Sequence, residues 1–146
     1  MTAASRQAPR RIGMAVALGV AVLAVALSVW LWPAAHGYML FHGHAGLQAK
    51  IQSGVALPAA AAACVNCHDG AATGGPRPIA RLDRATLSTP RTPRGGAPVF
   101  YDEASFCRLL REGIDPASVL LNRLMPRFTI SDADCAALLA YARIRP

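Results

Sequence analysis

The pentapeptide Cys64-Val65-Asn66-Cys67-His68 constrains this chain more than any other stretch. Two cysteines separated by two residues, with a histidine directly after the second, form the register of covalent haem attachment. Each thiol adds to one vinyl group of the porphyrin, and two intervening residues let both sulfurs reach neighbouring vinyls. The histidine is then held under the iron as an axial ligand. The motif occurs once, so one covalent haem c is expected. Two other uses of the pair fit less well. Half of a zinc site would need a second ligand pair at finger-like spacing, which is missing. A thioredoxin-type redox pair would need a surrounding βαβ pattern, which is also missing.

A second feature divides the chain. From Ile12 to Trp32 no residue carries a charge. As a helix this run spans about 31 Å at ~1.5 Å per residue, matching the hydrocarbon core of a bilayer. Arg6, Arg10 and Arg11 precede it with no acidic residue. That bias predicts a cytoplasmic basic tail over 1–11, a transmembrane anchor over 12–32 and an exported remainder. Trp30 and Trp32 fall where an interfacial aromatic belt lies. A cleaved signal peptide would share the basic start, but the apolar run exceeds the usual ~7–15 residues. Pro33 also spoils a small-x-small cleavage site. A retained anchor in a bacterial inner membrane is the favoured reading, with the rest of the chain periplasmic.

Export permits disulfides. With Cys64 and Cys67 assigned to haem, Cys107 and Cys135 are left to pair. A bridge between them would join two helices and constrain the unfolded chain by roughly 3–4 kcal/mol. The alternative is two buried thiols packing as small apolar groups.

Residues 33–57 read as a juxtamembrane segment. Its His36, His42 and His44 are conspicuous as candidate metal or haem ligands, but exposed or interfacial histidines suit that position better. A short amphipathic helix is expected over 45–53, with Leu47 and Ile51 one turn apart and Gly54 ending it. Pro58 then opens a helix through Ala59 to Ala63 into the haem motif. Residues 69–99 are dense in Gly, Pro and Thr and read as a long loop that can line the porphyrin edge, interrupted by a short helix at 79–87. Asp102 looks like the N-cap of a helix through Glu112, with Gly113 at its C-terminal end. Ser131 to Asp134 looks like a capping box with Asp in place of Glu. In the last helix Cys135, Leu138, Leu139 and Ala142 share one face. No alternating strand pattern stands out.

The sixth iron position needs a ligand. Beyond the membrane run only Met39 and Met125 remain as methionines, and no histidine follows His68. Met39 lies before the motif and near the bilayer. Met125 precedes Pro126, which fixes the backbone and can hold the thioether rigidly over the iron. A thioether favours the reduced iron relative to a second histidine. On its own, Met125 would read as a core methionine filling a gap.

Together, Cys64 to His68, Gly75-Pro76, Met125-Pro126 and a terminal helix with Tyr141 resemble a class I c-type cytochrome over residues 58–146. The resemblance implies an all-α, cytochrome c-like haem domain, whose N-terminal and C-terminal helices cross beside the haem. Ala60–Ala63 and Ala136–Ala140 are the small residues suited to that crossing. It also implies that the Pro76 carbonyl accepts a hydrogen bond from the histidine nitrogen that does not meet the iron, with Pro78 nearby as a rival. The chain departs from the pattern in its second cysteine pair and in a Pro- and Arg-rich loop at 88–98.

The function expected is membrane-tethered, single-haem electron transfer on the exported face, not catalysis, with iron held by His68 and Met125. Arg77, Arg81, Arg84, Arg91 and Arg94 cluster in the loop region. They either steer docking to an acidic redox partner, hold haem propionates, or are solvated surface charge. Two rival roles are a haem-bearing subunit of a larger membrane oxidoreductase and, if Met125 does not ligate, a ligand-binding haem sensor. Nucleic-acid binding, suggested only by the net charge of +7, suits an exported haem domain poorly.

Overall fold

The computed structural model of this chain describes residues 8–69 and 79–146. The chain divides into two compact units, Met1–Trp32 and Pro33–Pro146. It is about half helical, with a small three-stranded sheet and one long apolar N-terminal helix.

The first unit is helical from Ala8 onward, within α1 (Ala8–Phe41). The stretch Gly13–Phe41 is long and apolar enough to cross a membrane, with a mean hydropathy of 2.5. Its large apolar side chains stand in the open, from Met14 at 74% exposure to Trp32 at 71%. Such a surface has no favourable place in water and suits lipid contact.

The second unit begins at Pro33. Proline removes one backbone donor, yet α1 continues for two more turns, which bury Leu40 and Phe41. Residues 33–57, expected as a juxtamembrane segment, belong to the same compact unit as 58–146.

After α1 the expected helix over 45–53 is replaced by strand β1 (Gln48–Lys50). It pairs antiparallel with β2 (Ala56–Leu57) and with β3 (Arg127–Thr129), in the order β2-β1-β3. Ala49 lies opposite both Leu57 and Phe128. The fold is therefore not purely all-α. Leu47 and Ala49 are buried two residues apart, the strand period, rather than Leu47 and Ile51 at the helical one. Gly46 and Gly54, both at positive φ, bracket the strand. The deciding partner, β3, lies nearly eighty residues away, so local pattern gave no sign of it.

The helix expected from Pro58 to Ala63 is only a turn, closed by the Ala61 and Ala62 amides on the Pro58 carbonyl at 2.9 and 3.1 Å. Ala62 and Ala63 are buried, and the Ala63 methyl packs against Gly43, so packing overrides the alanines' propensity. The close helix approach expected of Ala60–Ala63 with Ala136–Ala140 is made instead by Gly37 of α1. Any Cβ at Gly37 would overlap the Ala137 carbonyl.

Helix α2 (Val65–His68) is one turn long. Helix α3 (Arg84–Ser88) starts later than the 79–87 expectation, because Asp83 caps it by accepting from the Thr86 amide at 2.8 Å. Helix α4 (Glu103–Glu112) has the expected Asp102 cap, reciprocated by Ser105, and ends on Gly113 at φ 74°. Helix α5 (Asp132–Ile144) is capped by Ser131, as expected. The Cys107 and Cys135 sulfurs lie at bonding distance with their Cα atoms 5.4 Å apart, which joins α4 to α5. Phe106, Leu110, Leu138 and Leu139 pack around this bridge in the core.

Candidate cofactor cavity

Residues Cys64, Cys67 and His68 stand at i, i+3 and i+4, which places them on one face of a single helical turn. The turn is real: the His68 amide donates to the Cys64 carbonyl at 2.8 Å. That face borders a cavity of about 590 Å³, within the usual range for small-ligand sites. Met125 and Pro126 line the same cavity, some sixty residues further along the chain. The remaining wall is mostly apolar and includes Leu82, Leu87, Tyr101, Leu109 and Phe128.

The two thiols differ. Cys64 is 7% exposed, and burial pushes its pKa from 9.0 up to about 11, so it stays protonated and packs as an apolar group. Cys67 is exposed.

His68 is oriented by a backbone acceptor. Its Nδ1 lies 2.7 Å from the Ala80 carbonyl oxygen. With the proton on Nδ1, the Nε2 lone pair is free to bind a metal. The described partner of this nitrogen is Ala80, and the expected acceptor, Pro76, with its rival Pro78, falls among residues not described. Any backbone carbonyl can serve, so residue type carries no signal for it. Pro76 and Arg77 lie outside the described residues.

Met125 sits on a tight turn. Its amide donates to the Asn122 carbonyl at 3.0 Å, and the Asn122 side chain accepts from the Leu124 amide at 3.0 Å. Arg127 Nη1 donates to the Met125 carbonyl at 2.7 Å. The side chain is partly buried against the core cluster.

Charged groups are few at the cavity. Arg91 lines it, 5.9 Å above the Tyr101 ring, and its buried Nε has no hydrogen-bond partner among the described residues. Burial also raises the Tyr101 pKa, while the Arg91 charge opposes that shift. Arg81 is half exposed and pairs loosely with Asp69 and Asp83 at 3.9 and 3.6 Å. Arg84 and Arg94 are exposed.

Sequence reasoning missed Arg145. It is 8% exposed, donates to the Leu82 carbonyl at 3.0 Å and Asp69 at 2.7 Å, and stacks 4.2 Å above Phe41. It thereby ties both segments flanking His68 to the end of α5. An arginine next to a chain terminus carries no local mark of such a role.

The three earlier histidines do not line the cavity. His36 pairs with Asp134 at 2.7 Å. His42 stacks on Tyr38, with ring centroids 4.3 Å apart, and its Nε2 lies 3.3 Å from the Tyr141 hydroxyl. Among the described residues no group of three or more His, Cys, Asp or Glu side chains is placed to hold a metal ion directly. No protein-family model matches the chain, nor does any curated protein or any solved structure.

Proposed function

We propose that this protein is a membrane-tethered, single-haem c-type cytochrome of the class I kind, an electron carrier rather than an enzyme. One observation carries the reading. The C-x-x-C-H face and the Met-Pro turn, remote in sequence, border the same apolar cavity. The donor set fits the group: two thiols for the vinyls, an imidazole nitrogen and a thioether for the iron. The orphaned Arg91 Nε fits an anionic edge.

Cys64 and Cys67 would carry the thioether links, and His68 and Met125 would hold the iron. The haem, when bound, supplies one-electron exchange at the iron. The chain does the rest. The Ala80 carbonyl fixes the His68 ring and raises its basicity. Leu82, Leu87, Leu109 and Phe128 exclude water, which favours the less charged, reduced state. With His68 and Met125 both holding the iron, no position on it would remain for a substrate.

In this reading α1 anchors the protein in a bacterial inner membrane, with the basic tail cytoplasmic and the haem unit periplasmic. Arg84 and Arg94, both exposed, would steer an acidic redox partner, with rates falling as salt rises.

The test is a spectrum. The oxidised full-length protein in detergent is expected to show the methionine-to-iron charge-transfer band, and the reduced protein to bind carbon monoxide poorly. Absence of the band with ready carbon monoxide binding rejects the carrier role. For the docking surface, charge reversal at Arg84 and Arg94 that leaves the transfer rate and its salt dependence unchanged rejects steering.

A further inference from the structure

The turn that carries Met125 hangs between two elements and, besides the Asn122 side chain within it, is braced by Arg127 from outside. Its first residue, Leu121, donates its amide to the Gly113 carbonyl at 2.8 Å. Its far end is held by Arg127, whose Nη1 donates to the Met125 carbonyl at 2.7 Å. The same guanidinium lies flat against Gly113, where any Cβ would overlap it. Gly113 therefore serves twice: its left-handed φ of 74° ends α4, and its missing side chain seats the arginine. Pairing of Arg127 with Lys50 across β1 and β3 fixes the arginine's own backbone.

The guanidinium is not fully satisfied by this contact. Arg127 Nη2 is buried with no partner among the described residues. An unsatisfied buried donor on a cation destabilises the fold, and an apolar side chain would avoid it.

We infer that Arg127 is a positioning residue for the Met125 thioether, acting through the Met125 carbonyl and its seat on Gly113. The inference rests on the proposed ligation of iron by Met125. A thioether is a neutral, weak ligand, so how long it stays bound depends on how firmly its backbone is held. Arg127 would set that firmness.

The experiment uses the haem-loaded full-length chain in detergent. It compares wild type, Arg127→Gln, Arg127→Lys, Met125→Ala and Arg111→Gln. Arg111 is a matched control. It also donates to a backbone carbonyl, that of Ile130 at 2.8 Å, and pairs with Asp132, but it does not touch the Leu121–Pro126 turn. Carbon monoxide binding to the reduced protein and the pH at which the oxidised protein loses its charge-transfer band are read alongside Tm. Arg127→Gln is expected to speed carbon monoxide binding about tenfold, the size of one lost charge-assisted hydrogen bond. The band should be lost at a pH about one unit lower, the same factor expressed as a proton equilibrium. Arg127→Lys should fall between and keeps the test alive if the Gln variant does not load haem. Arg111→Gln should lower Tm and leave both ligand readouts alone. The inference is overturned if both Arg127 variants keep wild-type ligand readouts, or if Arg111→Gln moves them equally. If wild type itself behaves like Met125→Ala, the ligation reading has failed, and that result is distinct from either of the others.

Discussion

On one wall of the cavity Cys64, Cys67 and His68 share a single helical turn, while on the other Met125 stands on a turn held by Gly113 and Arg127. The first wall is local. Five consecutive residues place both thiols and the imidazole, and one backbone carbonyl orients the ring. The second wall is assembled from distant pieces: the end of α4, the start of β3 and, through the sheet, the strand after α1. A local wall should survive damage elsewhere in the fold. An assembled wall should loosen first when the Gly113–Arg127 contact or the Cys107–Cys135 bridge on α4 is disturbed.

The largest effect tests the local wall. Replacing both Cys64 and Cys67 with alanine should abolish pigment retention after acid–acetone extraction. Met125→Ala should leave the pigment attached and only open the iron to carbon monoxide. Equal pigment loss in the two variants would break the contrast.

The Cys107–Cys135 bridge supports the assembled wall, since α4 ends on Gly113. Its removal by Cys107→Ala with Cys135→Ala should cost roughly 3 kcal/mol in unfolding measurements. On heating, the charge-transfer band should vanish before the spectral signs of histidine ligation. Simultaneous loss would mean that the walls are not separable.

Gly37→Ala strikes a support remote from both walls. A methyl group there must displace the Ala137 carbonyl and approaches Tyr141 Cβ at 2.7 Å. A destabilisation of about 1–3 kcal/mol is expected, with no preferential loss of either ligand. A selective loss of Met125 ligation would place α1 among that wall's supports.

The smallest effect concerns acid. The Ser131 hydroxyl, and then His36, hold the Asp134 carboxyl below its ordinary 3.8. The folded pKa is the lower one, so the unfolded chain binds the proton more readily. The stabilisation is complete above about pH 4, the unfolded value, and is lost as pH falls through the folded one. Asp134→Asn should flatten that acid limb. Because the pair is a third exposed, His36→Ala should cost only about 0.5 kcal/mol at neutral pH. An unchanged acid limb in the Asn variant would remove Asp134 from this role.

The same division explains what could be read from sequence. The C-x-x-C-H pentapeptide, the Asp102 and Ser131 caps and the Gly113 stop are written in residues a few positions apart, and the caps and the stop stand where expected. The long apolar run is likewise a local signal. The sheet was hidden because β1 meets β3 only in the folded chain, and a three-residue strand leaves little period to detect. Pro58–Ala63 misled because alanine propensity is weak against packing beneath Gly43. Elimination among methionines singled out Met125, which lines the cavity, whereas the Ala80 carbonyl and the bonds of Arg127 and Arg145 to backbone carbonyls are announced by no residue pattern.

Peptide mapping of the matured protein tests the central claim most directly. The fragment containing residues 64–68 should be coloured and heavier by one haem, with neither thiol open to alkylation. An uncoloured fragment in which both Cys64 and Cys67 alkylate freely would contradict it.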